Sequence, residues 1–284
     1  MVLPIDEEII TIYIKKNIET LDLSNKTIID LHIIIGKLTN LKWLELSNTN
    51  ITYCPAEIGQ LTLLTRLNLS RNKIYHVPEE ICHLMNLKIL NLSYNNITHL
   101  PKGIEHFAEL TLLHLSYNNI TDIQEEICQL SQLNELSLSH NNITNLPESF
   151  GNLNKLTLLN LSHNMITELP NEFWKLTQLS LLSLSYNMLN YMPEEIGNLI
   201  NLTKLYLSNN TLTYIPTEIK HLILLETLIL HGNMVTHLPL ELWHLPHFTE
   251  LYISNSILPF LQEIKIEYSP EEIKNLPYLN IKLV

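Results

Sequence analysis

A 23-residue period governs nearly the whole chain. The segments "ILNLSYNNITHL" from residue 89, "LLHLSYNNITDI" from 112, "ELSLSHNNITNL" from 135, "LLNLSHNMITEL" from 158 and "LLSLSYNMLNYM" from 181 follow one another at that fixed step. With the first apolar residue of each unit taken as position 1, units begin at Ile18, Leu41, Leu64, Leu87, Leu110, Leu133, Leu156, Leu179, Leu202, Leu225 and Phe248, eleven in register without insertion or deletion. A unit this short cannot bury its apolar face alone, so neighbours must stack and each touches mainly the next. The period therefore overrides the two domains that 284 residues would suggest at roughly 150 residues each. The expected organisation is an amphipathic capping helix over residues 1–17, eleven repeats over 18–258 and a C-terminal cap over 259–284. In that cap "SPEEI" from Ser269 offers an N-cap, a proline and a capping-box Glu272, and "YLNIKLV" supplies a last strand.

Inside each unit the spelling is L-x-x-L-x-L-x-x-N-x-I-x-x-L-P-x-E-I-x-x-L-x-x. Leucines at positions 4 and 6 point one way, as a strand requires, and positions 3, 5 and 8 project the other way. After a turn, the proline at position 15 should open a short helical piece with acids in its first turn, where negative charge meets free N–H groups. In units 2 to 10, eleven of the 29 acidic residues occupy positions 16 and 17 and are explained in this way. Units 1, 5 and 11 lack that proline, unit 5 carrying Gln124, and local irregularity is expected there. Asn72, Asn95, Asn118, Asn141, Asn164, Asn187, Asn210 and Asn233 fill position 9 in succession. An amide at that point can satisfy backbone groups that the turn leaves unpaired, so this ladder is scaffold, and it is expected to fail at Lys26, Thr49 and Ser256.

Several function classes lose support. A formal charge of −12, with 17 basic residues and no basic stripe, disfavours nucleic acid. No run of about 20 apolar residues exists, so no membrane span is expected, and "MVLPIDEEII" is a poor secretion signal. Cys54 should face inward, while Cys82 and Cys128 share position 19 two units apart, about 10 Å, too far to bridge. Glycans on Asn68, Asn91 or Asn160 would fall inside the sheet, which together with unpaired thiols indicates a reducing cytosol. The six glycines form no phosphate loop and no nucleophile elbow is present, so neither an enzyme nor a cofactor is expected. His140 and His163 share position 8 on successive strands, yet zinc would need a third ligand such as Glu135, and solvated side chains are the plainer reading, with no metal.

The stretches "MPEEIGNLINLTKL" and "CPAEIGQLTLLTRL" make the chain similar to the Ras-suppressor type of intracellular leucine-rich repeat, whose period falls within about 20–29 residues. The resemblance implies an α/β leucine-rich-repeat solenoid, a curved horseshoe with a parallel concave sheet and short convex helical segments. It further implies a non-enzymatic scaffold with protein partners such as small GTPases, phosphatases or signalling proteins. Similar arrays occur in bacterial effectors that act in the host cytosol on signalling or ubiquitin-pathway proteins, which is the alternative reading. Alanine occurs only at 56 and 108 and arginine only at 66 and 71, a bias an AT-rich genome would produce.

Positions that repeat are scaffold; positions that vary can address a partner. In units 4 to 8 the outward rows turn apolar and aromatic, and charge moves to the flanking units. The expected partner face comprises Ile89, Tyr94, Leu112, His114, Tyr117, Glu135, His140, Leu158, His163, Leu181, Tyr186 and Tyr206, with Tyr94, Tyr117 and Tyr186 as anchors. A purely structural array, in which the leucines at position 3 only reflect repeat duplication, is the competing reading. The chain is expected to be a monomer.

Overall fold

A computed structural model describes residues 12–28, 31–254 and 280–283 and divides the chain into two compact units, Met1–Asn142 and Ile143–Val284. In the first, strands β1 (Thr20–Asp22), β2 (Trp43–Glu45), β3 (Arg66–Asn68), β4 (Ile89–Asn91), β5 (Leu112–His114) and β6 (Glu135–Ser137) pair in parallel in chain order. In the second, β7 (Leu158–Asn160), β8 (Leu181–Ser183), β9 (Lys204–Tyr206), β10 (Thr227–Ile229), β11 (Glu250–Ile253) and β12 (Asn280–Leu283) do the same. From β1 to β6 and from β7 to β11 each residue faces the one 23 positions on, as Trp43 faces Arg66 and Leu158 faces Leu181. A one-residue slip would turn every leucine outward, so the uniform period fixes the register.

The inward rows form the core. Leu64, Leu67 and Leu69 in the first unit, and Leu179, Leu182 and Leu184 in the second, are at most 1% exposed. Each such side chain stabilises by about 1.5–3 kcal/mol when fully buried. No helix among the described residues is long and apolar enough to cross a membrane. Cys54, Cys82 and Cys128 are buried free thiols, and burial pushes Cys54 up to about 12. Cys82 is also pushed up to about 12, by burial first and then by Glu79 and Glu105.

On the opposite side, positions 16–20 form five-residue 3-10 helices. Ala56–Gln60, Glu79–His83, Lys102–His106 and Glu125–Gln129 lie in the first unit; Glu148–Asn152, Asn171–Lys175, Glu194–Asn198, Thr217–His221 and Leu240–His244 lie in the second. The proline is not the first helical residue, as the sequence suggested, but the N-cap. Pro55 has φ −71° and ψ 142°, an extended backbone, and its carbonyl accepts the Ile58 N–H at 3.1 Å. Nor does its loss disturb unit 5. Gln124 takes nearly the same angles, φ −72° and ψ 145°, the helix Glu125–Gln129 follows, and the Gln124 Oε1 accepts the Leu100 N–H at 3.1 Å. Extended geometry is open to any residue, so proline favours this corner without being needed. In the first repeat the equivalent piece is an α-helix, Leu31–Ile35.

The asparagine ladder stitches each turn to its neighbour. Asn118 Oδ1 accepts the N–H of Ile97, 21 residues earlier, while its Nδ2 donates to the carbonyls of Leu92 and Leu115, each at 3.0 Å. Asn141 repeats this with Ile120, Leu115 and Leu138, and in the second unit Asn187 does so with Ile166, Leu161 and Leu184. At Thr49 the ladder keeps only the local bond of a rung, without the bonds that reach back to the preceding repeat. That side chain is 1% exposed, and its hydroxyl donates to the Leu46 carbonyl at 2.8 Å, the bond an asparagine would make. Ser256 lies outside the described residues, as do residues 1–11 and the helix expected from Ser269; residues 12–15 are helical.

Candidate protein-binding face

The residues opposite the core begin at the strands. Ile89 and Leu112 in the first unit, and Leu158 and Leu181 in the second, open their strands with side chains half-buried among their neighbours. Tyr206 is half-buried on β9. His114 Nε2 donates to Glu135 Oε1 at 2.8 Å, so two expected contact residues hold each other. That bond also occupies the carboxylate suggested as a third zinc ligand. Among the described residues no group of three or more His, Cys, Asp or Glu is placed to hold a metal ion.

Beyond strands β1 to β10 the backbone enters the left-handed region at position 8. Asn25, Asn48, Asn209 and Gly232 sit there with φ between 53° and 71°, as suits residues that tolerate it. Arg71, Tyr94, Tyr117, His140, His163 and Tyr186 sit there too, with φ between 54° and 58°. A side chain with a Cβ costs roughly 1–2 kcal/mol in that conformation, and asparagine escapes most of the penalty through local hydrogen bonds. The six bulky residues are therefore held against the preference of their own backbone.

They are held in stacks. In the first unit Tyr94 and Tyr117 lie with centroids 4.1 Å apart at 10°, Tyr117 and His140 lie 3.9 Å apart at 12°, and the Arg71 guanidinium caps the Tyr94 ring at 4.6 Å. In the second, His163 and Tyr186 stack at 4.0 Å and 11°. Such pairs contribute about 0.5–1.5 kcal/mol each, which offsets part of the backbone cost. The edges remain open: Tyr94 and Tyr117 are 40% exposed and Tyr186 is 48% exposed. Desolvation within the stack, and then Tyr94, push the Tyr117 phenol up; desolvation pulls the His163 imidazole down.

The His163 shift has a sign that can be measured. A folded imidazole that resists protonation leaves the unfolded chain to take the proton first, so stability is full above the free value near 6.5 and falls as pH drops below it. The ¹H NMR titration midpoint of His163 is expected below 6.5, and His163→Gln should flatten that acid-side decline. A midpoint at or above 6.5 would contradict the placement of this ring.

Strands of three residues at a 23-residue step, 3-10 returns and a position-9 asparagine ladder define a leucine-rich-repeat protein. Residues 17–137 and 121–211 match the leucine-rich repeat region family, residues 201–222 match the leucine-rich repeat family, and the chain belongs to this class. A leucine-rich-repeat protein of Leptospira interrogans is 36% identical, with a TM-score of 0.87, over 96% of this chain and 68% of that one. Two further structures share the fold. The ectodomain of the Arabidopsis thaliana receptor kinase GASSHO1/SCHENGEN3, solved in complex with CASPARIAN STRIP INTEGRITY FACTOR 2, is 23% identical over 93% of this chain and 35% of that one, with a TM-score of 0.65. An internalin of Listeria monocytogenes is 21% identical over 94% of this chain and 87% of that one, with a TM-score of 0.59. No curated protein matches the chain. The fold is a typical scaffold for protein interaction.

The expected contact residues thus fall into two sets. Ile89, Tyr94, Leu112, His114, Tyr117, Glu135 and His140 belong to the first unit, and Leu158, His163, Leu181, Tyr186 and Tyr206 to the second. Sequence reasoning missed the left-handed backbone under the aromatic row. The signal was present in the sequence, since four other units carry asparagine and one carries glycine at the same position. It also missed Arg71 as the cap of the stack.

Proposed function

We propose that the chain is a non-enzymatic scaffold that binds a protein partner on the exposed sheet face of repeats 4–6 in the first unit and 7 and 8 in the second. One observation carries this reading: bulky rings occupy a left-handed backbone position that repeats 1, 2, 9 and 10 give to asparagine or glycine. Local strain retained against an easy alternative points to use, and tyrosine is a preferred anchor in protein interfaces. Repeat duplication alone would spread the favoured asparagine as readily as a ring. The best test exploits the same geometry. Tyr117→Asn combined with Tyr186→Asn should leave the fold intact, because asparagine suits the backbone where alanine would not. Partner capture should then fall by at least tenfold, the loss of a hot spot worth about 2 kcal/mol or more. Capture at the wild-type level by the folded variant would refute the reading.

We take small GTPases and host signalling or ubiquitin-pathway proteins as the first partners to try, with the chain as a monomer; the family resemblance supports this choice. The relative from Leptospira interrogans and the AT-rich composition favour a bacterial chain acting in a host cytosol, where its three free thiols would stay reduced. Tagged protein expressed in host cells should then recover a host protein that the double variant does not.

A further inference from the structure

The two arginines of this chain stand on one strand and the turn that follows it. Arg66 opens β3 and Arg71 follows in the left-handed turn, both exposed. They are the only arginines among 17 basic residues. Among the described residues neither guanidinium meets an acid of this chain, although Arg71 also caps the Tyr94 ring. The ion pairs of Lys42 with Glu19, His114 with Glu135 and Lys175 with Glu172 leave both guanidiniums out. Glu45, an acid on the neighbouring strand β2, accepts instead from Asn68 Nδ2 at 2.9 Å and from the Ser47 N–H at 3.0 Å. Apolar surface flanks the pair on both sides: Trp43, 43% exposed, faces Arg66 from β2, Ile89 faces it from β4, and Tyr94 lies under Arg71.

Building on the partner-binding reading, we infer that Arg66 and Arg71 receive carboxylates from an acidic segment of the partner protein, whose apolar residues continue onto Tyr94 and Tyr117. Charge decides the occupant. In a chain of net charge −12, two unpaired planar cations on an aromatic face form a local inversion of sign, and the guanidinium fork matches a carboxylate edge to edge. A lysine would supply charge without that geometry, and this sequence uses lysine nearly everywhere else. The two arginines stand five positions apart, at most about 17 Å of extended chain. One carboxylate on each, set several residues apart in the partner, fits that span better than a single acid shared by both.

The inference is tested by selecting a displayed library of random dodecapeptides on the full chain, then measuring the best binders by fluorescence polarisation. Enriched peptides should carry two or more Asp or Glu beside apolar residues. Their affinity should fall at least tenfold for Arg66→Gln with Arg71→Gln, fall as salt rises, and survive Lys73→Gln on the exposed turn. Circular dichroism of each variant establishes that it is folded. Enrichment without acids, or binding indifferent to the arginine pair, overturns the inference. If such binding is still lost on Tyr94→Asn with Tyr117→Asn, the aromatic face stands as the site and only the role of the arginines falls. If no peptide is enriched, or if neither pair of substitutions matters, both readings fall.

Discussion

Asn141→Ala should destabilise the protein by about 2–3 kcal/mol, while the adjacent Asn142→Ala stays within roughly 0.5 kcal/mol. The Asn141 Oδ1 accepts the Ile120 N–H at 3.0 Å, and removing it strands that buried donor. The carbonyl of Leu115 suffers less, because Asn118 also donates to it. Asn142 is half-buried, and the bond it makes to Ile120 comes from its backbone N–H, which alanine keeps. Asn141→Asp should be at least as damaging as alanine, because the retained acceptor comes with a buried carboxylate oxygen set against the carbonyls of Leu115 and Leu138. Urea denaturation midpoints of the three variants test this order. Equal shifts at 141 and 142 would mean that the ladder does not hold the turn together.

Gly151→Ala should be the more damaging of two formally identical glycine substitutions, by about 3 kcal/mol or more, against about 1 kcal/mol or less in either direction for Gly103→Ala. A Cβ on Gly151 would lie 2.1 Å from the Glu172 carbonyl oxygen and 2.7 Å from its carbon. That is backbone of the next 3-10 helix, Asn171–Lys175, so the helix itself would have to move. A Cβ on Gly103 would meet His106 Nδ1 at 3.2 Å and the Cys82 side chain at 3.3 Å, groups that can shift. Thermal unfolding of both variants settles the comparison. A Gly151→Ala protein as stable as wild type would show that successive helices are not packed this closely.

Fold and ladder were legible because each is written many times over. A leucine at position 4 or an asparagine at position 9 answers to the same backbone need in every unit, so the pattern averages out local noise. Details that depend on one torsion were not. The proline at position 15 reads equally well as a first helical residue or as the corner before it, and only ψ near 150° distinguishes them. Thr49 looked like a broken rung, yet its hydroxyl keeps the local bond to the Leu46 carbonyl. Tyr117 was recognised as variable and outward, but its strained backbone and its stack with Tyr94 and His140 required the turn geometry. Pairing of His114 with Glu135 crosses from one strand to the next, 21 residues away, where single-unit reasoning does not reach.

The rungs of the ladder all lean the same way. Ile97 offers its N–H to Asn118 and Ile120 offers its own to Asn141, so a turn is finished by an amide made 21 residues later. As the polypeptide leaves a ribosome, the newest repeat is always open at its leading edge and the one before it has just been closed. Trimming a repeat from the front removes partners for which each Nδ2 has a substitute carbonyl; trimming one from the back leaves an N–H with none. Truncation from the two ends should therefore be unequal, the loss of a C-terminal repeat costing more than the loss of an N-terminal one.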